Sequence, residues 1–220
     1  MKKVTDAKIV DLVVDMVPKT KIIFITAQYG KSTSDVDIYC VADVRKSYVH
    51  IFLKNDRLYE IFIDSIKNLK KKAKNKDEIT FSFLHRMRLV YGDKTVHNNF
   101  KNLFPTRYSM PEYRLQKLIY RIKVISSKYT SSKNDLLRNF FLGQLIQYFI
   151  MLEFHLNGIW PASPKKWLEQ LSQMNTATSK QLISLIANKN TNVGSLILEY
   201  TKNFKGLDLE YFTTNQTLIV

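Results

Sequence analysis

The sequence predicts an α+β protein: a strand-containing domain over residues 1–105, then an all-helical bundle over residues 106–220. Three observations carry this. Residues 21–63 are crowded with β-branched and aromatic runs of strand length. From Pro111 onward the apolar residues recur at helical spacing almost throughout. Between the two lies a break bounded by Pro105 and Pro111.

Taken in order, Val4, Ala7, Ile9, Val10, Val13, Val14 and Val17 give a helix over residues 3–17, stopped by Pro18. Residues 21–26 read as a buried strand, residues 27–34 as a loop with one glycine and several hydroxyls, and residues 35–42 as a second strand. Residues 48–54 and 57–63 follow as two more strands, with Asn55 and Asp56 as a two-residue hairpin turn. Residues 66–76 form a basic amphipathic helix carrying Lys67, Lys70, Lys71, Lys72, Lys74 and Lys76. Residues 81–91 are expected to be a helix ended by Gly92.

In the second domain, Pro111 opens a helix over residues 113–129. Ser132, with Asp135 three residues on, caps a long helix ending at Gly158. Ser163 and Pro164 open a helix over residues 165–174, and shorter helices over 178–189 and 193–204 complete the bundle. Tyr113, Tyr120, Phe140, Phe141, Tyr148 and Phe149 recur at helical spacing and are expected in the core, with Trp160 and Trp167 as packing anchors.

Composition narrows the function classes. Hydrophobic residues at 45% and charged residues at 24% are ordinary for a soluble globular chain. The apolar stretch over residues 136–156 carries Arg138, Asn139, Gln144, Gln147, Glu153 and His155, which makes it too polar to span a bilayer, so no membrane-embedded partner is expected. Asp6, Asp11 and Asp15 interrupt any signal-peptide pattern, and the lone Cys40 leaves no disulfide framework, so a cytoplasmic setting is expected. The net charge of +15 favours a polyanionic partner such as RNA, a nucleotide or an acidic membrane surface; a lysine-rich surface that simply solubilises the chain weighs equally.

The chemistry centres on Asp35 and Asp37. A strand has a period of two, so both carboxylates share one face while Val36 and Ile38 share the other. Two acids on a core strand are expensive without a partner, and a divalent cation is the usual one. A pair of such ions about 3.5–4 Å apart clamps the attacking and leaving oxygens of a phosphoryl displacement. That requires a third acid on a neighbouring strand. Glu60, between Tyr59 and Ile61, fits; Asp64 lies on the same strand face and is the alternative. The four histidines show no metal-ligand spacing with one another or with Cys40. Gly30, Lys31 and Ser32 do not end a P-loop, because position 25 is isoleucine and a strand follows.

The order strand, hydroxyl- and glycine-bearing loop, then Ser34, Asp35, Val36, Asp37 and Ile38, then Glu60 between apolar neighbours, resembles the nucleotidyltransferase superfamily. The motif covers roughly residues 21–64. A looser likeness extends over the chain to Asn157, Gly158, Ile159, Trp160, Pro161 and Lys166, Trp167, Leu168. Small bacterial members, the kanamycin-nucleotidyltransferase-like proteins and the minimal nucleotidyltransferases, place such a domain before a helical bundle.

The resemblance implies a nucleotidyltransferase-like mixed sheet flanked by helices, with the site between the domains. It also implies Asp35 and Asp37 as magnesium ligands, with Glu60 as the third carboxylate and base for an acceptor hydroxyl. A nucleoside triphosphate such as ATP would be attacked at its α-phosphorus, with pyrophosphate leaving. Small members of the family often pair, which implies a homodimer. Where the family opens its loop with Gly-Ser, this chain reads Thr26 and Ala27. Thr26, Gly30, Lys31, Ser32 and Ser34 are then the residues left to hold the triphosphate.

Two functions follow as expectations. The first is a magnesium-dependent nucleotidyltransferase acting on a hydroxyl acceptor, be it RNA, protein or a small molecule. Lysines outnumber acids in the helical half, which weighs against a polycationic acceptor. The second is a catalytically impaired protein of the same fold, serving as a nucleic-acid-binding or regulatory module.

Overall fold

The computed structural model describes residues 4–29 and 35–187, together with Val193, Gly194, Leu196 and Tyr200. The chain divides into two compact units, Met1–Thr106 and Arg107–Val220.

The first unit is built on a five-stranded mixed sheet in the order β3-β4-β2-β1-β5. Its strands are β1 (Ile22–Gln28), β2 (Asp35–Ala42), β3 (Tyr48–Lys54), β4 (Arg57–Ser65) and β5 (Arg88–Gly92). β1 pairs antiparallel with β2 and β5, β3 pairs antiparallel with β4, and β2 pairs parallel with β4. The β3–β4 hairpin turns as expected: Asn55 and Asp56 both adopt left-handed backbone, with φ of 53° and 59°.

Period-two alternation sends Val36, Ile38 and Cys40 of β2 and Tyr59, Ile61 and Ile63 of β4 to one face. There they bury against Ile9 and Val13 of α1 (Asp6–Val14), whose N-cap Thr5 accepts from the Lys8 amide. Phe24, Tyr39 and Phe62 lie on the opposite face. That face is covered by α2 (Ile66–Lys74), α3 (Glu78–Arg86) and α4 (Lys94–Lys101), through Phe83 against Tyr39 and Phe62 and His97 against Phe24. Cys40 is fully buried, and burial pushes its thiol up to about 12.

The expected helix over residues 81–91 is a correction. α3 ends at Arg86, and residues 88–92 form β5 against β1. An apolar run of this length suits helix or strand; the free edge of β1, distant in sequence, decides. Gly92 is not a helix cap. It turns the chain at φ 103°, where a Cβ would fall 2.7 Å from Phe24 Cβ and against the Ile23 carbonyl. Asp93 then caps α4, accepting from the Val96 amide.

The second unit contains α5 (Glu112–Ser131), α6 (Asp135–Asn157), α7 (Trp167–Met174) and α8 (Ala177–Ile186). α6 is capped by Asn134, not by Ser132, and ends at Gly158 in left-handed backbone. Ser163 makes no capping bond; Pro164 begins a 3₁₀ turn, Pro164–Lys166, and α7 starts after it. The expected helix over 193–204 lies largely outside the described residues, of which Val193, Leu196 and Tyr200 are helical and buried. Tyr113, Tyr120 and Phe140 are exposed rather than core, whereas Phe149 is fully buried. Trp160 packs on Tyr108, and Trp167 Nε1 donates to the Ala162 carbonyl. No described helix is long and apolar enough to cross a membrane.

Candidate functional site

Three carboxylate-bearing positions share one face at the start of the central strands. In the parallel register of β2 and β4, Asp37 lies directly opposite Glu60, and Asp35 lies opposite Leu58. Directly paired residues point to the same face, so Asp35, Asp37 and Glu60 emerge together, opposite the α1 side. Asp35 and Asp37 are separated by about 6.6 Å of strand rise, and the Asp37 and Glu60 backbones by about 4.8 Å. All three are half-buried. On the other side of Asp37, β1 sets Gln28, which sequence reasoning missed; its alternation with Thr26 was the available signal.

The donor chemistry of three carboxylates suits a hard cation. The backbone brings the positions together; the side chains do not converge. Among the described residues, no group of three His, Cys, Asp or Glu side chains is arranged to hold a metal ion. A shared face and carboxylate donors are what a magnesium site would require, but as placed the three side chains do not form one.

Asp64, the alternative third acid, belongs to the core. It is 2% exposed and accepts from Tyr39 Oη at 2.9 Å, Asn68 Nδ2 at 2.6 Å and Lys72 Nζ at 2.7 Å. Burial opposes its ionisation, but the hydrogen bonds from Lys72, Ser47 and Asn68 outweigh that and hold the carboxyl below its ordinary value. Burial and the Asp64 carboxylate together push the Tyr39 phenol above its usual range. Asp64 anchors α2 to the sheet.

Thr26 is likewise structural. It is fully buried, and its hydroxyl donates to the Phe83 carbonyl at 3.1 Å, which ties β1 to α3. As placed it is not offered to a phosphate. Gly30, Lys31, Ser32 and Ser34 lie outside the described residues. Beside that loop, Tyr29, Asp6 and Arg88 hydrogen-bond to one another, with the Arg88 guanidinium 5.1 Å from the Tyr29 ring centroid. The cluster joins α1, the end of β1 and the start of β5.

A cavity of about 400 Å³ lies on the α1 side, between Lys8 and Asp11 of that helix, Asp15 at its end, and Lys54, Asn55 and Tyr59 of the hairpin. It contains none of the three acids. On α2, Lys67, Lys70, Lys71 and Lys74 are exposed, while Lys72 is engaged by Asp64. The histidines serve separate packing roles: His85 stacks on Phe81, His97 meets Phe24 edge-on, His50 packs on Phe52, and His155 Nδ1 accepts from the Met110 amide.

No protein-family model matches the sequence, and no curated protein does. Among solved structures, the chain is similar to a nucleotidyltransferase-like protein from Exiguobacterium sibiricum 255-15, with a TM-score of 0.54 at 11% identity. The alignment covers 94% of this chain and 78% of that one. At this identity the likeness speaks to architecture alone: the chain has a nucleotidyltransferase-like fold.

Proposed function

We propose that the protein is a nucleotidyltransferase that moves a nucleoside monophosphate from a nucleoside triphosphate to a hydroxyl acceptor, with magnesium as the metal. The observation that supports this is the register Asp37 opposite Glu60, with Asp35 two positions away on the same face. Asp35 and Asp37 would bind the ion, and Glu60 would complete the set or take the acceptor's proton. Bound magnesium would neutralise charge on the phosphates. The residues' own work is to hold the reacting phosphate against this face and to receive a proton at a carboxylate oxygen. The excess of lysine favours an anionic acceptor such as RNA over a polycation. A cytoplasmic protein would meet all of these.

Titration of ATP, GTP, CTP and UTP with magnesium against wild type and Asp37→Ala tests the reading. Replacing a residue that only hydrogen-bonds to a metal ligand already costs about 10–100-fold, so removing a ligand should cost at least that in nucleotide affinity or turnover. An unchanged Asp37→Ala variant would refute it.

A second reading is favoured by one observation: the Thr26 hydroxyl is consumed by Phe83, and a Gly-Ser opening to the loop is lacking. In that reading the fold persists as a nucleic-acid-binding or regulatory module. A wild type that binds no nucleotide but binds RNA with steep salt dependence would select it.

A further inference from the structure

β3 is a free edge of the sheet, and it lacks the usual protection. An outer strand presents a row of unpaired backbone groups, which proteins blunt with charge, proline, a bulge or a cover. Among the described residues β3 has β4 as its one strand neighbour, and the ladder between them runs from Tyr48 to Lys54 without a register shift. The strand has no proline, and its one charged side chain, Lys54, is terminal. Val49, Ile51 and Leu53 are 51%, 57% and 70% exposed on the acid-bearing face, and Tyr48 is 41% exposed on the other. In a chain of net charge +15, β3 carries a single lysine, so a contact confined to this strand sets few like charges against each other.

We propose that β3 pairs antiparallel with β3 of a second copy, centred on Ile51, so that two five-stranded sheets join across a twofold axis. Symmetry restricts the register. A twofold axis normal to the sheet sets residues on the same face against each other, so it must pass through a residue paired with itself. Centring on His50 pairs only residues 48–52 and brings Lys54 against Lys46. Centring on Phe52 pairs only residues 50–54. Centring on Ile51 pairs the whole strand, with Val49 against Leu53 and Ile51 against itself on one face, and His50 against Phe52 and Tyr48 against Lys54 on the other. Apolar meets apolar, and the one cation meets a phenol instead of its own copy.

The test is cross-linking and sedimentation equilibrium of the full chain. Opposed Cα atoms of antiparallel strands lie about 4.5–5.5 Å apart, within disulfide reach. Cys40 is buried, so an engineered thiol on β3 reacts without competition. Ile51→Cys should therefore form a covalent dimer under mild oxidation, whereas Val49→Cys, which faces Leu53, should not. Ile51→Asp sets two carboxylates together at the axis, each beside its own Glu60. It should reduce the sedimented mass from two chains to one, with unchanged circular dichroism, because Ile51 is more than half exposed. Wild type that sediments as one chain at every concentration overturns the proposal, including the case where a foreign strand occupies the edge. So does a dimer that survives Ile51→Asp, or an Ile51→Cys that cross-links no faster than Val49→Cys.

Discussion

Tyr39 on β2 donates its phenolic proton to Asp64 on β4 at 2.9 Å, beneath a helix whose Lys72 reaches the same carboxylate oxygen at 2.7 Å. Two strands and α2 thus meet at one buried acid. Asp64→Ala should cost roughly 2–4 kcal/mol in urea unfolding, because it strands a phenol, an amide and an ammonium. Lys72→Met should cost less, about 1–2 kcal/mol, since the ammonium keeps partial access to water. Under the proposed function, neither substitution should alter nucleotide binding by the folded protein. The sign with pH follows from the lowered carboxyl: the Asp64 contribution is complete above its unfolded value and fades as pH falls through the lower folded value. Asp64→Asn should flatten stability below about pH 4.

His97 should make the first unit acid-sensitive at milder pH. It is 4% exposed, and burial, helped by the nearby Lys101 charge, lowers its folded pKa to about 4 from the ordinary 6.5. The neutral ring is the folded form, so stability is full above the unfolded value and is lost as pH falls from there towards the folded one. The slope should approach about 1.4 kcal/mol per pH unit over that window. Urea midpoints at neutral pH and at pH values within the window measure it. His97→Phe, which preserves the ring against Phe24, should remove most of the slope.

Glu153 plays a comparable part in the helical unit, with no cation against it among the described residues. Its carboxylate is 1% exposed and accepts from Thr176 Oγ1 at 2.6 Å, Thr178 Oγ1 at 2.8 Å, Tyr200 Oη at 2.9 Å and Asn157 Nδ2 at 3.1 Å. Glu153→Ala leaves these donors without their acceptor and should destabilise by about 2–4 kcal/mol. Tyr200→Phe removes one bond and should cost about 1 kcal/mol. Thermal unfolding of the two variants checks the ratio.

Thr26→Val separates a packing role from a phosphate role. Losing the bond to Phe83 should cost about 1 kcal/mol, with nucleotide binding unchanged. A large fall in nucleotide affinity with unaltered stability would return Thr26 to the phosphate site.

The features legible in the sequence were those set by neighbours along the chain. The two-residue period put Asp35 and Asp37 on one face, and Asn55 with Asp56 announced the hairpin because both accept left-handed backbone. What escaped depended on distant partners. β5 exists because β1 offers an edge, and an apolar run such as residues 81–91 carries no record of that edge. Thr26 is a polar residue in an apolar strand, which from sequence alone suits a ligand contact as well as a helix carbonyl; Phe83 decided it. Glu60 and Asp64 alternate on the same strand face, so only the return of α2 over Asp64 distinguishes the core acid from the candidate ligand.

The order of strands also bears on how the acid face is assembled in time. β3 and β4 are joined by a tight turn and can zip together locally within microseconds, whereas β4 reaches β2 only when that hairpin inserts alongside it in parallel. Asp37 and Glu60 therefore meet in the slow, long-range step of folding. A chain arrested before that step would hold a complete hairpin and no acid face, while the pairing of β5 with β1, across a larger sequence separation, is not needed for that face.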